Sequence, residues 1–215
     1  MLSSFIPILF TMFIVVDPFG LVPLFIGLTG GLSAAEKDRT IRKAVATAFL
    51  VLSLFIAAGR LILRLLGVSP GSFFIAGGIM LFLVSLDMLF GQPKRSKVSD
   101  QEKPIVEDSE ERSAIAVFPL AIPMLAGPGA ITTIILFTSS GSEPLLVMAM
   151  LLVAVILTLA AAGFAMKASG IVLKALGRTG VSVIERIMGL LLSGLAVQFV
   201  YEGLSKLGML PGGAS

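Results

Sequence analysis

Cysteine, histidine and tryptophan are all absent from the 215 residues, tyrosine occurs once, and only 13% of residues are charged. No disulfide frame, thiolate chemistry or Cys/His metal site is available to such a chain. Intramembrane or soluble enzyme chemistry has little to draw on, since the carboxylates are scattered and no acid/base pair or metal cluster forms in sequence. No G-x-x-x-x-G-K-[ST] pattern occurs either, which leaves no ATP-binding loop. A soluble domain carries about 25% charge; this chain has half that, with 56% apolar residues and a mean hydropathy of +1.04. What remains is an integral membrane domain. The net charge of +3 comes from cations in loops beside apolar runs, a topology signal that excludes nucleic acid as a partner and makes the lipid bilayer one.

Six runs of roughly 20 apolar residues, each about long enough for a 30 Å core, are predicted at Phe5 to Leu28, Ala44 to Leu66, Ser72 to Phe90, Ala114 to Thr138, Leu145 to Met166 and Val181 to Tyr201. The N-terminus lacks a basic n-region and reads as a retained span. Twelve of the sixteen Lys and Arg residues fall in the links after spans one, three and five. Positive-inside places those links in the cytoplasm of a cell inner membrane and both termini outside. Arg60 and Arg64, near the end of span two, are expected to snorkel.

Six of the eleven prolines lie in spans one and four: Pro7, Pro18, Pro23, Pro119, Pro123 and Pro128. Asp17-Pro18-Phe19-Gly20 interrupts the first span and Gly127-Pro128-Gly129-Ala130 the fourth, with Pro18 and Pro128 separated by 110 residues. The same interval relates Leu61-Ile62-Leu63-Arg64-Leu65-Leu66-Gly67 to Ile171-Val172-Leu173-Lys174-Ala175-Leu176-Gly177. An odd number of spans per half inverts the second copy. The expected fold class is therefore all-α: a polytopic membrane protein of two inverted three-helix repeats, residues 1–91 and 114–215, joined by a charged linker at 92–113, with helices one and four discontinuous.

Irregular backbone at mid-membrane depth is tolerated where protein or a water-filled cavity surrounds it, and half-helix ends at a repeat interface are where secondary transporters bind substrate. The expected substrate-binding set is Asp17, Pro18, Gly20, Gly127, Pro128, Gly129, Thr132 and Thr133. A half-helix opening at Gly127-Pro128-Gly129 turns free N–H groups and a positive dipole end toward the pocket, which suits a carboxylate. Asp17 has three readings: ligand of a substrate ammonium, proton carrier, or cap of the half-helix that Pro18 opens. Asp87, Arg186 and Gln198 complete a set for ion coupling or gating. Asp87 is expected at the membrane interface, Glu185 and Arg186 on the same side as a local pair or paired with Asp87, and Gln198 as a bond between helices or a pocket residue. No cofactor or metal is expected; coupling to H+ or Na+ stays open, as does assembly into a homo-oligomer.

Asp17-Pro18-Phe19-Gly20 with Leu21-Val22-Pro23-Leu24-Phe25, Ala76-Gly77-Gly78, Ala126 to Thr133, and Arg186-Ile187-Met188-Gly189 with Gln198 resemble the MarC family of six-span membrane proteins over nearly the whole chain. Members of that family often carry Asn at the position of Asp17 and a basic residue at that of Phe74. The resemblance implies kinship with LysE-type amino-acid exporters and transport of small neutral amino acids such as glycine and alanine. One repeat rocking against the other would give alternating access. The rival expectation is a non-transporting membrane assembly partner.

Overall fold

A serine followed three residues later by glutamate starts the longest uninterrupted helix of the chain. Ser33 and Glu36 form a reciprocal capping box: the Ser33 N–H donates to Glu36 Oε2 at 2.8 Å and the Glu36 N–H to Ser33 Oγ at 3.4 Å, satisfying orphan donors at both ends of the pair. The computed structural model describes residues 2–29, 31–90, 116–140 and 144–210. They form α1 (Leu2–Val16), α2 (Leu21–Leu28), α3 (Ala34–Leu65), α4 (Pro70–Phe90), a π-helix π1 (Ala116–Leu125), α5 (Pro128–Ser140), α6 (Pro144–Lys167) and α7 (Ser169–Lys206), with no strand among the described residues. The linker expected at 92–113 lies outside them.

Among the described residues four stretches are long and apolar enough to cross a bilayer: α3, α4, α6 and the Ser182–Lys206 part of α7. The apolar helices Phe5–Val16 and Pro128–Ser139 are shorter, and twelve residues at 1.5 Å each reach only about 18 Å of a core about 30 Å thick. A count of six therefore depends on joining α1 to α2 and π1 to α5 across their breaks. The second span, expected from Ala44, is the apolar part of a helix that starts at Ala34, because the capping box makes the charged segment helical as well. The sixth is likewise longer at its start; α7 bends at Gly177, where φ is +63°.

The 110-residue interval recurs in the backbone at the positive-φ glycines Gly67 (+67°) and Gly177 (+63°). Packing runs mainly between the two halves of the chain: α4 with α7, α3 with α6, α1 with α6, α3 with π1 and α5, and α4 with α5.

The α4 and α7 backbones touch along their lengths. A Cβ on Gly203 would lie 2.6 Å from the Gly71 carbonyl oxygen, one on Gly78 would lie 2.7 Å from that of Ala196, and one on Gly189 3.1 Å from that of Ser85. Small residues permit this approach where lipid supplies no hydrophobic drive between helices. α3 and α6 run antiparallel: Lys167 pairs with Asp38 at 3.4 Å at one end, and Ile56 and Ala57 line a cavity with Pro144 and Met148 at the other, where Arg60 donates to the Thr138 carbonyl at 3.5 Å. Arg60 thus reaches the C-terminal end of α5, a contact beyond the snorkelling expected of it. Outside, Leu50, Leu54, Ile79, Leu83, Leu152, Val153, Leu190 and Val197 are exposed, an apolar exterior on helices that also have apolar interiors, as membrane spans have.

Candidate functional site

Two interruptions carry the candidate site, and each is built differently. α1 ends at Val16, and Asp17 follows with φ +48°, the one non-glycine residue with positive φ among those described. Aspartate and asparagine tolerate this left-handed region best after glycine, since their short polar side chains bond locally. Here Asp17 Oδ1 accepts from the Gly20 N–H at 3.1 Å. The carbonyl of Asp17 accepts from Leu21 and that of Phe19 from Val22, so the turn Asp17 to Gly20 delivers the chain into α2. Of the three readings of Asp17, the capping geometry is thus visible: the carboxylate caps the turn before α2, while Gly20 occupies the N-cap position itself.

Asp17 and Pro18 are buried, and Asp17 is 7% exposed. A side chain on Gly20 would collide with the Asp17 carboxylate and come within 2.8 Å of Met88 Cε on α4. Phe19 turns outward and, with Ile184, Ile187 and Met188 of α7, lines an open apolar groove of about 260 Å³ beside the break.

The second interruption carries no acid. π1 ends in the wide-ring bond from the Ala126 N–H to the Ala121 carbonyl at 2.8 Å. Pro119 and Pro123 within it lack N–H groups, which a regular α ladder would need. Gly127 then serves as the turn into α5, its carbonyl accepting from Ile131 at 3.1 Å. Pro128 at the first helical position has no N–H to orphan, so the free donors of this start are the Gly129 and Ala130 N–H groups. Gly127 and Gly129 are buried and Pro128 is half-buried.

The two breaks adjoin. A Cβ on Gly129 would lie 2.7 Å from Cγ1 of Val15, in the last turn of α1, and 2.5 Å from Cδ1 of Leu81 on α4. Thr132 and Thr133 are both fully buried, yet they differ. Thr133 Oγ1 donates back to the Gly129 carbonyl at 2.9 Å, whereas Thr132 Oγ1 has no partner and presses on Gly77 of α4 so tightly that any side chain there would collide with it. A buried hydroxyl left unpaired costs about 1–3 kcal/mol. In this arrangement the ends of both half-helices are therefore covered by α4, through Gly77, Leu81 and Met88.

The residues expected to couple or gate lie elsewhere. Asp87 and Arg186 are exposed, and among the described residues Arg186 forms no ion pair with Glu185 or with Asp87. Gln198 is exposed too and donates to Glu202 Oε1 at 3.1 Å on its own helix instead of bonding to another helix. Leu81 and Met88 were not singled out from the sequence. With Gly77 and Ser85 they form a stripe spaced four, four and three residues apart on one face of α4, a pattern hidden in a helix that is apolar on every side.

A family model described as "MarC family integral membrane protein" matches residues 2–208. Among curated relatives, a UPF0056 membrane protein of Archaeoglobus fulgidus is 36% identical over 206 residues, covering 95% of this chain and 94% of the relative. One of Methanocaldococcus jannaschii is 36% identical over 203 residues, covering 94% and 97%. The UPF0056 membrane protein YhcE of Escherichia coli is 34% identical over 201 residues, covering 94% and 91%. These names state a membrane protein and nothing further. No solved structure matches.

Proposed function

We propose that this chain, which belongs to the MarC family of integral membrane proteins, is a secondary transporter of small neutral amino acids in the cytoplasmic membrane. The observation that carries the reading is the meeting of two helix breaks in the protein interior, where Val15 at the end of α1 packs on Gly129 at the start of α5. Two inverted three-helix repeats account for it: α1 and α2 form one composite span, π1 and α5 its counterpart. The matched positive-φ glycines Gly67 and Gly177 support that symmetry.

The substrate carboxylate binds the free N–H groups of Gly129 and Ala130 with the Thr132 hydroxyl, and its ammonium faces Asp17. Pro18, Gly20, Gly127, Pro128 and Thr133 shape the two turns that present these groups. Half-helix ends supply partial charges of opposite use to a zwitterion. The lining of glycine, alanine and threonine restricts the ligand to glycine- or alanine-sized molecules. Both termini face outward in this reading, and a proton or sodium gradient drives the cycle.

Purified protein in liposomes tests it. Saturable counterflow of labelled alanine or glycine is the expected result, and binding without flux would move the protein to a membrane assembly role.

A further inference from the structure

The halves of the sequence are not the halves of the packing. α4 belongs to the first half and α7 to the second, yet their backbones meet at Gly71 with Gly203, Gly78 with Ala196 and Gly189 with Ser85. Contacts of this kind set main chain directly against main chain. α1, α3, π1, α5 and α6 pack around Met12, Leu52, Leu120, Leu125, Ile134 and Leu151, and Leu81 of α4 with Leu192, Ala196 and Phe199 of α7 close onto that core from one side. We infer that the α4–α7 pair is a single rigid arm that swings against this body and uncovers the two helix breaks. The inference deepens the transport reading and rests on it for what the motion accomplishes.

Two of the connections between arm and body have the same form. Gly67 lies between α3 and α4, and Gly177 precedes the long membrane-spanning part of α7; both have positive φ, and a Cβ at either would meet nothing within 4 Å. Backbone rotation at both is free of steric obstruction, and glycine crosses φ without the penalty other residues incur. Hinges of this kind are a few terminal residues that absorb the change while packed elements move as bodies.

The seam between arm and body runs over the candidate site. Leu81 covers Gly129, Met88 covers Gly20, and Gly77 seats the unpartnered Thr132 hydroxyl. Beside Phe19 the seam is already parted, as the open groove against Ile184, Ile187 and Met188. Leu81 and Met88 act as gates: carried away with α4, they free the Gly129 and Gly20 backbone together.

Because the chain has no cysteine, pairs of introduced cysteines carry spin labels on a clean background. Two pairs at exposed positions separate the bodies: Leu83→Cys with Leu190→Cys within the arm, and Leu83→Cys with Val153→Cys from arm to body. In lipid nanodiscs the arm pair gives one narrow distance distribution, and the arm-to-body pair gives two maxima. Gly67→Ala, which fits the open space but disfavours positive φ, lowers the arrangement described here by about tenfold relative to the other and leaves the arm pair unchanged.

An arm pair as broad as the arm-to-body pair, or an arm-to-body pair as narrow as the arm pair, overturns the inference. An unmoved distribution in Gly67→Ala overturns the hinge. If two maxima are present but neither alanine nor glycine shifts their ratio, the arm stands and the amino-acid reading falls.

Discussion

The first break is held by a carboxylate and the second without any charged side chain. At Asp17 a carboxylate enters a left-handed turn and closes it by accepting from Gly20. At Gly127 to Gly129 no acid is present, and the turn is closed by the Gly127 carbonyl, a proline that has no donor to lose and the Thr133 hydroxyl bonded to Gly129. The same problem, polar backbone freed inside a membrane protein, has one answer that brings a charge and one that brings none. That asymmetry would let two related half-sites take the two ends of a zwitterion.

The largest expected effect comes from filling the place where the breaks meet. Gly129→Val puts carbon atoms into space that Leu81 and Val15 already occupy, and overpacking of this kind costs about 1–3 kcal/mol. Uptake in liposomes falls to background and thermal unfolding in detergent moves to lower temperature. If uptake survives at wild-type level, the meeting of α1 and α5 has no part in transport.

Asp17 separates charge from conformation. Asp17→Asn keeps an acceptor for Gly20 and tolerance of positive φ, so the protein stays folded within about 1 kcal/mol of wild type, while concentrative uptake is lost. Asp17→Leu loses both features; forfeiting the hydrogen bond costs about 0.5–1.5 kcal/mol and the left-handed backbone a further 1–2 kcal/mol or so. Equal stability of the two variants in chemical denaturation would show that the turn does not depend on this side chain.

How much of this was legible in the sequence follows from what each feature rests on. Breaks are written in proline and glycine, which act locally, so Asp17 to Gly20 and Gly127 to Ala130 can be found without coordinates. The start of α3 was equally legible as Ser33-x-x-Glu36, but the charged segment after it obscured the helix behind the membrane criterion. Which way a side chain faces was not legible. In helices apolar on every face, hydrophobic periodicity no longer distinguishes core from lipid, so Gln198 could be expected inside although it is exposed, and nothing marks Leu81 and Met88 among other apolar residues. The interlocking of α4 with α7 depends on contacts more than 100 residues apart, which no local pattern encodes.

A smaller effect distinguishes the two adjacent threonines of α5. Thr133→Val removes a formed bond to the Gly129 carbonyl and lowers stability by about 0.5–1.5 kcal/mol with little change in the alanine concentration at half-maximal uptake. Thr132→Val removes a hydroxyl that has no partner here, so stability holds or rises, while half-maximal uptake moves to higher alanine. The reverse pattern would assign the ligand contact to Thr133 and the structural one to Thr132.

The smallest effect is expected far from both breaks. Arg60 donates to the Thr138 carbonyl in the last turns of α5, and with Ile56, Ala57, Pro144 and Met148 it borders a cavity of about 110 Å³. A cation at a helix C-terminus contributes about 0.3–1 kcal/mol; Arg60 is exposed, which puts it at the low end. Arg60→Gln therefore shifts thermal unfolding slightly and leaves the alanine dependence of uptake unchanged, because α5 is fixed at its other end by Val15, Leu81 and Gly77. A change in substrate dependence would mean that the C-terminal end of α5 reports on its N-terminal end, and that α5 moves as a lever instead of standing still while the arm swings.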